Sequence, residues 1–170
     1  YEKRWASSFS SRIFSRCLCL SAASIILNLI CVFTLESSHV VPYWVNFTLN
    51  SAYFILVMLF SATMAYYLLY LVMEHVYDRK DIRRINIAIG ALFAAYVLIV
   101  AINPWTGILF TIDAAGDYQR GPGVNIGYAI MGLQLMMVLL CAWKNRSSVS
   151  RPMMHVIRIL PPAVVLLTAY

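Results

Sequence analysis

Five long apolar runs, separated by short polar segments, divide the chain. They predict membrane-spanning helices over about residues 13–35, 44–73, 85–102, 124–143 and 153–170. A helix of about 20 apolar residues, rising about 1.5 Å per residue, crosses a hydrocarbon core about 30 Å thick. The predicted fold is therefore an all-α polytopic transmembrane bundle. We expect residues 1–170 to be a single membrane domain that belongs to a longer protein.

The polar segment between the third and fourth runs, NPWTGILFTIDAAGDYQRGPG at 103–123, is rich in residues that favour turns. Because a proline disfavours helix at the residue before it, we expect the third span to end at Asn103-Pro104. Residues 108–113 then predict a short strand, 114–116 a turn, and 117–120 an antiparallel return. The segment predicts a β-hairpin over one end of the bundle.

This hairpin has two interpretations. It either covers the helix ends and ties two spans together, or it forms an outward-facing reception element. The candidate contacts of a reception element or outer cap are Trp105, Asp113, Tyr118 and Arg120.

The basic residues are distributed unevenly between the two ends of the predicted bundle. Of the 13 Lys and Arg residues, only Arg120 lies in the segment that carries the hairpin. The others precede the first span, lie between spans two and three or spans four and five, or begin span five. Since cytoplasmic loops carry the excess of Lys and Arg, we expect a cytoplasmic N-terminus and an outward-facing hairpin.

Polar side chains inside the spans need partners, because hydrocarbon offers none. On span two, four of them lie within about one quadrant at about 100° per residue: Asn46, Asn50, Tyr53 and Ser61. The candidates for helix packing, or for an intramembrane polar cavity, are Asn28, Asn46, Asn50, Tyr53 and Gln134. Both interpretations remain open.

Composition supports the membrane class and excludes others. The chain is 62% hydrophobic and 12% charged, with a mean hydropathy of +0.76, whereas a soluble domain is about half apolar and a quarter charged. The net charge of +6 comes from clusters between apolar runs, so we expect lipid rather than nucleic acid as the partner.

The side chains that could bind a metal or take part in catalysis do not form a recognisable site. The three His and four Cys residues do not lie at metal-ligand spacing, and no phosphate-binding glycine motif occurs. We therefore predict no metal, no cofactor and no catalytic residue, so this part of the protein is not expected to be an enzyme.

The string NPWTGILFTID…DYQRGPG, followed by an apolar span and a basic WKNR loop, resembles the seven-span membrane sensor module of bacterial signalling proteins. The long aromatic span YFILVMLFSATMAYYLLYLV and the basic turn DRKDIRR agree with it in pattern. The resemblance places this chain at spans two to six of the module. It implies a bacterial inner-membrane protein with a cytoplasmic output domain on the same polypeptide, a diguanylate cyclase (GGDEF) domain or a histidine kinase.

The expected function is therefore sensory signal transduction, and a transporter or channel is the alternative. A purely structural or assembly subunit is a third possibility. In a sensor, Pro161 and Pro162 are candidate hinge residues, because each removes a backbone donor and bends a helix. A homodimer is a further possible assembly.

Overall fold

The computed structural model describes residues 2–73, 79–113, 117–144 and 159. Within them lie four helices and one two-stranded sheet, with the bounds α1 Glu2–Glu36, α2 Tyr43–Met73, α3 Arg79–Thr106, β1 Phe110–Ile112, β2 Tyr118–Arg120 and α4 Gly123–Lys144. All four helices contain a segment long and apolar enough to cross a membrane. Apart from Ile159, the fifth predicted span lies outside the described residues, and so does the candidate hinge at Pro161 and Pro162.

Helix α2 is the central element, because it packs against α1, α3 and α4. Two buried clusters lie along it. One contains Phe47 and Met58 from its first half, and the other contains Leu68 and Val72 from its last turns. The first cluster also holds residues from the end of α3, and the second holds residues from the start of α3, so α2 and α3 are antiparallel.

The two ends of the bundle differ in what they carry. The hairpin and residues 37–42, which connect α1 to α2, lie with the first cluster, and we name this the hairpin end. The opposite end carries exposed basic side chains at the start of α3 and the end of α4, including Arg83, Arg84 and Lys144. We name this the basic end.

Much of the apolar surface of α1 is exposed. Only 6% of its most apolar window is buried, and Ile25, Leu29 and Phe33 are each more than half exposed. A monomeric soluble protein rarely exposes so continuous an apolar surface. The surface suits a helix that faces lipid or another transmembrane helix.

The start of α2 follows from Pro42. Its carbonyl accepts hydrogen bonds from the N–H groups of Val45, at 3.0 Å, and Asn46, at 3.4 Å. These are the first bonds of the helix, and a proline there loses nothing because the first N–H groups of a helix have no internal partner. The preceding connection is a tight turn, in which Ser37 accepts from the N–H groups of Val40 and Val41.

The end of α3 differs from the sequence prediction. The helix continues through Asn103 and Pro104 to Thr106, so ending it at Asn103-Pro104 was wrong. Pro104 lies in the last turn, where its missing N–H removes only one helical bond. The N–H of Gly107 donates to the Asn103 carbonyl at 2.9 Å, and Gly107, with φ of 60°, ends the helix in the left-handed region that glycine tolerates.

The predicted hairpin is present. Strand β1 pairs antiparallel with β2, with Phe110 opposite Arg120 and Ile112 opposite Tyr118. Gly121 closes its base, and its N–H donates to the Leu109 carbonyl at 2.8 Å. A Cβ at Gly121 would collide with the carbonyl group of Ile108, so a side chain there is incompatible with the observed return of the chain.

Candidate functional site

The hairpin is attached to α3 through one side chain, Asn103, which is 1% exposed. Its Oδ1 accepts from the N–H of Leu109 at 2.7 Å and from that of Phe110 at 3.4 Å, and its Nδ2 donates to the Phe110 carbonyl at 3.1 Å. The side-chain amide of Asn103 therefore takes the place of a neighbouring strand, because it hydrogen-bonds to main-chain N–H and C=O groups of the hairpin.

The register explains why these main-chain groups need a partner. Leu109 accepts from Gly121, and the N–H of Asp113 donates to the Asp117 carbonyl at 3.1 Å, so both bond across the hairpin. Residues along an antiparallel strand alternate between positions that hydrogen-bond to the partner strand and positions that do not. Phe110 lies at a position of the second kind, so its N–H and C=O face away from β2. Asn103 satisfies a strand edge that would otherwise be buried without hydrogen bonds.

The side chain of Phe110 attaches the hairpin to α2. It is fully buried, with ring centroids 5.0 Å from Phe47, 5.7 Å from Phe54 and 5.6 Å from Tyr118. Offset aromatic pairs at these distances are favourable beyond the area they bury. The hairpin is thus fixed to α3 by hydrogen bonds and to α2 by an aromatic cluster.

Tyr118 and Arg120 lie two residues apart on β2 and interact. Arg120 donates a hydrogen bond to the Tyr118 phenol, and Tyr53 lies close enough to act on it electrostatically. Burial raises the pKa of the Tyr118 phenol, while Arg120 opposes the rise. The phenol is therefore neutral at physiological pH and keeps a proton to donate.

A cavity of about 590 Å³ opens beside the hairpin. It lies between the α1–α2 connection, the first turns of α2 and the turn end of β1, and we name it the connection cavity. The lining residues with polar side chains are Ser38, His39, Tyr43, Asn46 and Asp113. Valine, proline and isoleucine side chains from the same segments supply its apolar wall.

Asn46 is the most buried residue of the connection cavity, at 1% exposed. Its Oδ1 has no hydrogen-bond partner among the described residues. Its main-chain carbonyl accepts from the Nδ2 of Asn50 at 2.8 Å, so Asn50 bonds within its own helix. A buried amide oxygen without a partner is costly, and this one has almost no surface open to the cavity.

The second polar contact lies deeper between α2 and α4. Ser61 Oγ donates to Gln134 Oε1 at 2.9 Å, and Gln134 is fully buried. Within the described part of the chain, Gln134 Nε2 has no acceptor. The pair joins two helices, and neither residue lines the connection cavity.

The structure brings some predicted residues together and separates others. Tyr118 contacts Arg120, whereas Asp113 lies at the turn of the hairpin and lines the cavity with Asn46. Trp105 is 83% exposed and suits the interfacial position that tryptophan prefers in membranes. Asn28 is exposed on α1, and a helix packed on that face would have to satisfy its amide.

Metal ligation finds no support in the described ranges. Across residues 2–73, 79–113 and 117–144, no group of three or more His, Cys, Asp or Glu side chains is placed to hold a metal ion. Asp113 Oδ1 instead accepts from the N–H of Asp117 at 2.8 Å, an Asx-type contact that shapes the hairpin turn.

Comparison of the chain with protein-family models, with curated proteins and with solved structures found no match. The resemblance to the seven-span sensor module therefore stays a prediction.

Two important groups escaped the sequence reasoning. Asn103 was interpreted only as part of a helix stop, although an amide just before a proline and a strand is a signal for side-chain bonding to the backbone. The α1–α2 connection, with Ser38 and His39, was assigned no role, because nothing local indicates that it lies against the hairpin.

Proposed function

We propose that this chain is the membrane-embedded sensory part of a signalling protein. The hairpin end receives an external or intramembrane signal, and the basic end passes it to a cytoplasmic output domain on the same polypeptide. The resemblance favours a diguanylate cyclase as that output and the bacterial inner membrane as the location.

One observation carries the proposal: Phe110 of the hairpin is packed into α2, the helix that contacts each of the other three. A displacement of the hairpin must move Phe110 or break its contacts with Phe47 and Phe54. Because α2 extends to the buried cluster at the basic end, the opposite end of the bundle is joined to the hairpin by one packed helix.

A sensor of this kind works only if the helical bundle has two arrangements of similar free energy. A signal shifts the population by the difference in its affinity for the two, and a signal that binds both equally changes nothing. Tightly packed interfaces favour two discrete arrangements over continuous deformation. The aromatic cluster around Phe110 is the proposed element that differs between them.

The proposed orientation rests on charge. Exposed basic side chains of the described helices lie at the basic end, and Arg120 lies at the hairpin end. The positive-inside rule then directs the hairpin outward. Gln119→Cys, on the exposed strand, should react in intact cells with a membrane-impermeant thiol reagent. Arg83→Cys should react only after permeabilisation, and the reverse result would refute the orientation.

The function is tested by output from the full-length polypeptide in membranes. Phe110→Ala should change basal cyclic dinucleotide synthesis by at least about fivefold, because loss of a buried Phe costs about 3–5 kcal/mol and the contacts of Phe110 differ between the two proposed signalling states. The milder Phe110→Leu should change synthesis in the same direction by a smaller factor. Thr111→Ala, on the exposed face of the same strand, is the matched control and should leave output unchanged.

Unchanged output in both Phe110 variants, at normal protein levels, would refute the sensory role of the hairpin. Solute flux in vesicles that contain the full-length protein, without any effect on synthesis, would support the transporter alternative.

A further inference from the structure

We propose that Arg120 and Tyr118 on strand β2 bind the phosphate of an anionic phospholipid. The inference goes beyond the proposed sensory function and does not depend on it, because it requires only that the helices cross a lipid bilayer. It concerns the leaflet at the hairpin end, whichever side of the membrane that leaflet faces.

The register of the hairpin places both side chains on the face that meets the bundle. Phe110 and Ile112 are buried, and their cross-strand partners are Arg120 and Tyr118. Residues directly opposite each other in an antiparallel pair share a face. Tyr118 is half-buried on that face, whereas Arg120 is exposed, so the guanidinium lies at the rim of the hairpin and is open to a ligand.

Arg120 has no acidic partner close to it. The two acids of the hairpin, Asp113 and Asp117, lie at its turn, whereas Arg120 lies at its base. Among the described residues, Arg120 interacts with the phenols of Tyr118 and Tyr53 and forms no ion pair. A guanidinium beside aromatic rings and without a counter-ion favours an anion as its ligand.

The two side chains supply the hydrogen-bond donors that a phosphate needs. A guanidinium has five N–H donors in a planar fork, and Arg120 uses part of that set on the Tyr118 phenol. The phenol accepts this bond, which is the one it makes within the described ranges, and keeps its own proton to donate. Arginine commonly pairs with phosphate through two parallel bonds.

The hairpin end lies at the depth of lipid headgroups. Trp44, at the start of α2, is 73% exposed, and Trp105, in the last turn of α3, is 83% exposed. Tryptophan is enriched at the membrane–water interface, where lipid phosphates also lie. The hairpin follows α3 directly, so the phosphate within reach of Arg120 is that of a lipid.

Apolar surface for the acyl chains lies beside the site. Cys31 of α1 is close enough to Tyr118 to act on it electrostatically, so this part of α1 lies next to the hairpin. The next two residues, Val32 and Phe33, are 46% and 67% exposed. An acyl chain that runs along α1 from a phosphate at Arg120 would cover apolar surface that the bundle leaves open.

The test is photo-cross-linking of the full-length polypeptide in phosphatidylcholine nanodiscs that contain a small fraction of phosphatidylglycerol with a diazirine in its headgroup. Mass spectrometry should find the label on a peptide that covers 117–128. A phosphatidylcholine with the same diazirine should label this peptide at least about fivefold less, because a basic residue near the surface is worth about 1 kcal/mol toward an anionic lipid.

The variants locate the site. Arg120→Gln should reduce the labelling of 117–128 by about tenfold or more, the effect of a lost hydrogen bond to a charged group. Arg120→Lys should keep part of it, because lysine keeps the charge without the fork. Tyr118→Phe keeps the ring and should reduce labelling by about fivefold. Gln119→Ala, exposed between the two, is the matched control and should change nothing.

The basic end supplies an internal reference. A peptide that covers 79–90 carries the exposed Arg83 and Arg84 and should be labelled equally in every variant, which also reports that each variant is folded in the membrane. Water-soluble glycerol phosphate, added at up to about 10 mM, should not suppress the labelling of 117–128, because it lacks the acyl chains.

Label on 79–90 but not on 117–128 would overturn the inference, as would unchanged labelling in Arg120→Gln. An equal loss in Gln119→Ala would also overturn it, because the effect would then be one of the strand and not of the two side chains. Equal labelling by the zwitterionic lipid would refute the selection of an anionic lipid. Suppression by glycerol phosphate would assign the site to free phosphate and exclude the lipid.

Discussion

Replacing Asn103 should release the hairpin from α3 without unfolding the bundle. In Asn103→Ala the N–H of Leu109 and both main-chain groups of Phe110 lose their partner. These two residues are fully buried, so solvent cannot easily replace the lost bonds.

The magnitude follows from the bond geometry. The bonds of 2.7 Å and 3.1 Å are well formed, whereas that of 3.4 Å contributes little. Each buried group left unsatisfied costs about 1–3 kcal/mol, and some water entry at the bundle end lowers the total. We expect the hairpin to lose about 2–4 kcal/mol of local stability.

Hydrogen exchange measures this loss directly. Since about 1.4 kcal/mol corresponds to a factor of ten, amides in a peptide that covers 107–113 should exchange roughly 30- to 1,000-fold faster, if they exchange by local opening. Peptides from the last turns of α2, around the buried Leu68, should keep their protection. Asn125→Ala, an exposed Asn one helical turn into α4, is the matched control and should leave the exchange unchanged.

Exchange within about threefold of the wild type in Asn103→Ala would refute the reasoning, because even one lost hydrogen bond of about 1 kcal/mol exceeds that change. Equal acceleration in α2 would also refute it, since it would show that Asn103 stabilises the whole bundle rather than the hairpin.

Two further substitutions test the packing by thermal unfolding of the purified protein. Gly121→Ala should destabilise it by about 2 kcal/mol or more, because the new Cβ meets main-chain carbonyls rather than a movable side chain. In Gly132→Ala the new methyl group finds nothing within 4 Å, so this control should be neutral or stabilising by up to about 1 kcal/mol. Ser61→Ala combined with Gln134→Leu should leave the stability unchanged or raise it, because both partners of a buried bond and an unpaired donor disappear together. A loss of stability above about 2 kcal/mol in the double variant would contradict this expectation. It would show that the Gln134 amide has a second hydrogen-bond partner in the folded protein, besides Ser61.

The helices and the hairpin were predictable because their signals are local. Apolar runs of sufficient length predict spans whatever they pack against, and α2 and α4 begin and end within one residue of the predicted bounds. The hairpin follows from a polar, turn-rich segment between strand-like residues. The end of α3 was predicted wrongly because a proline only disfavours helix at the residue before it. The one hydrogen bond that Pro104 removes in the last turn costs too little to end the helix there.

The connection cavity was not predictable, because it depends on an encounter between distant segments. Ser38 and Asp113 are far apart in the chain, and both line the cavity only because α1, α2 and α3 cross the bundle in alternate directions. Likewise, the polar stripe on α2 indicated that Asn46 faces the interior of the bundle. Helical periodicity predicts the direction of a side chain but does not identify the group that it contacts. The unsatisfied Oδ1 is a property of the packed structure alone.

The two attachments of the hairpin determine which helices must follow its movement. Asn103 bonds the hairpin to α3, and Phe110 packs it against α2, so the hairpin behaves as part of those two helices. Helix α1 packs on α2. A displacement of the hairpin would therefore reach α1 through α2.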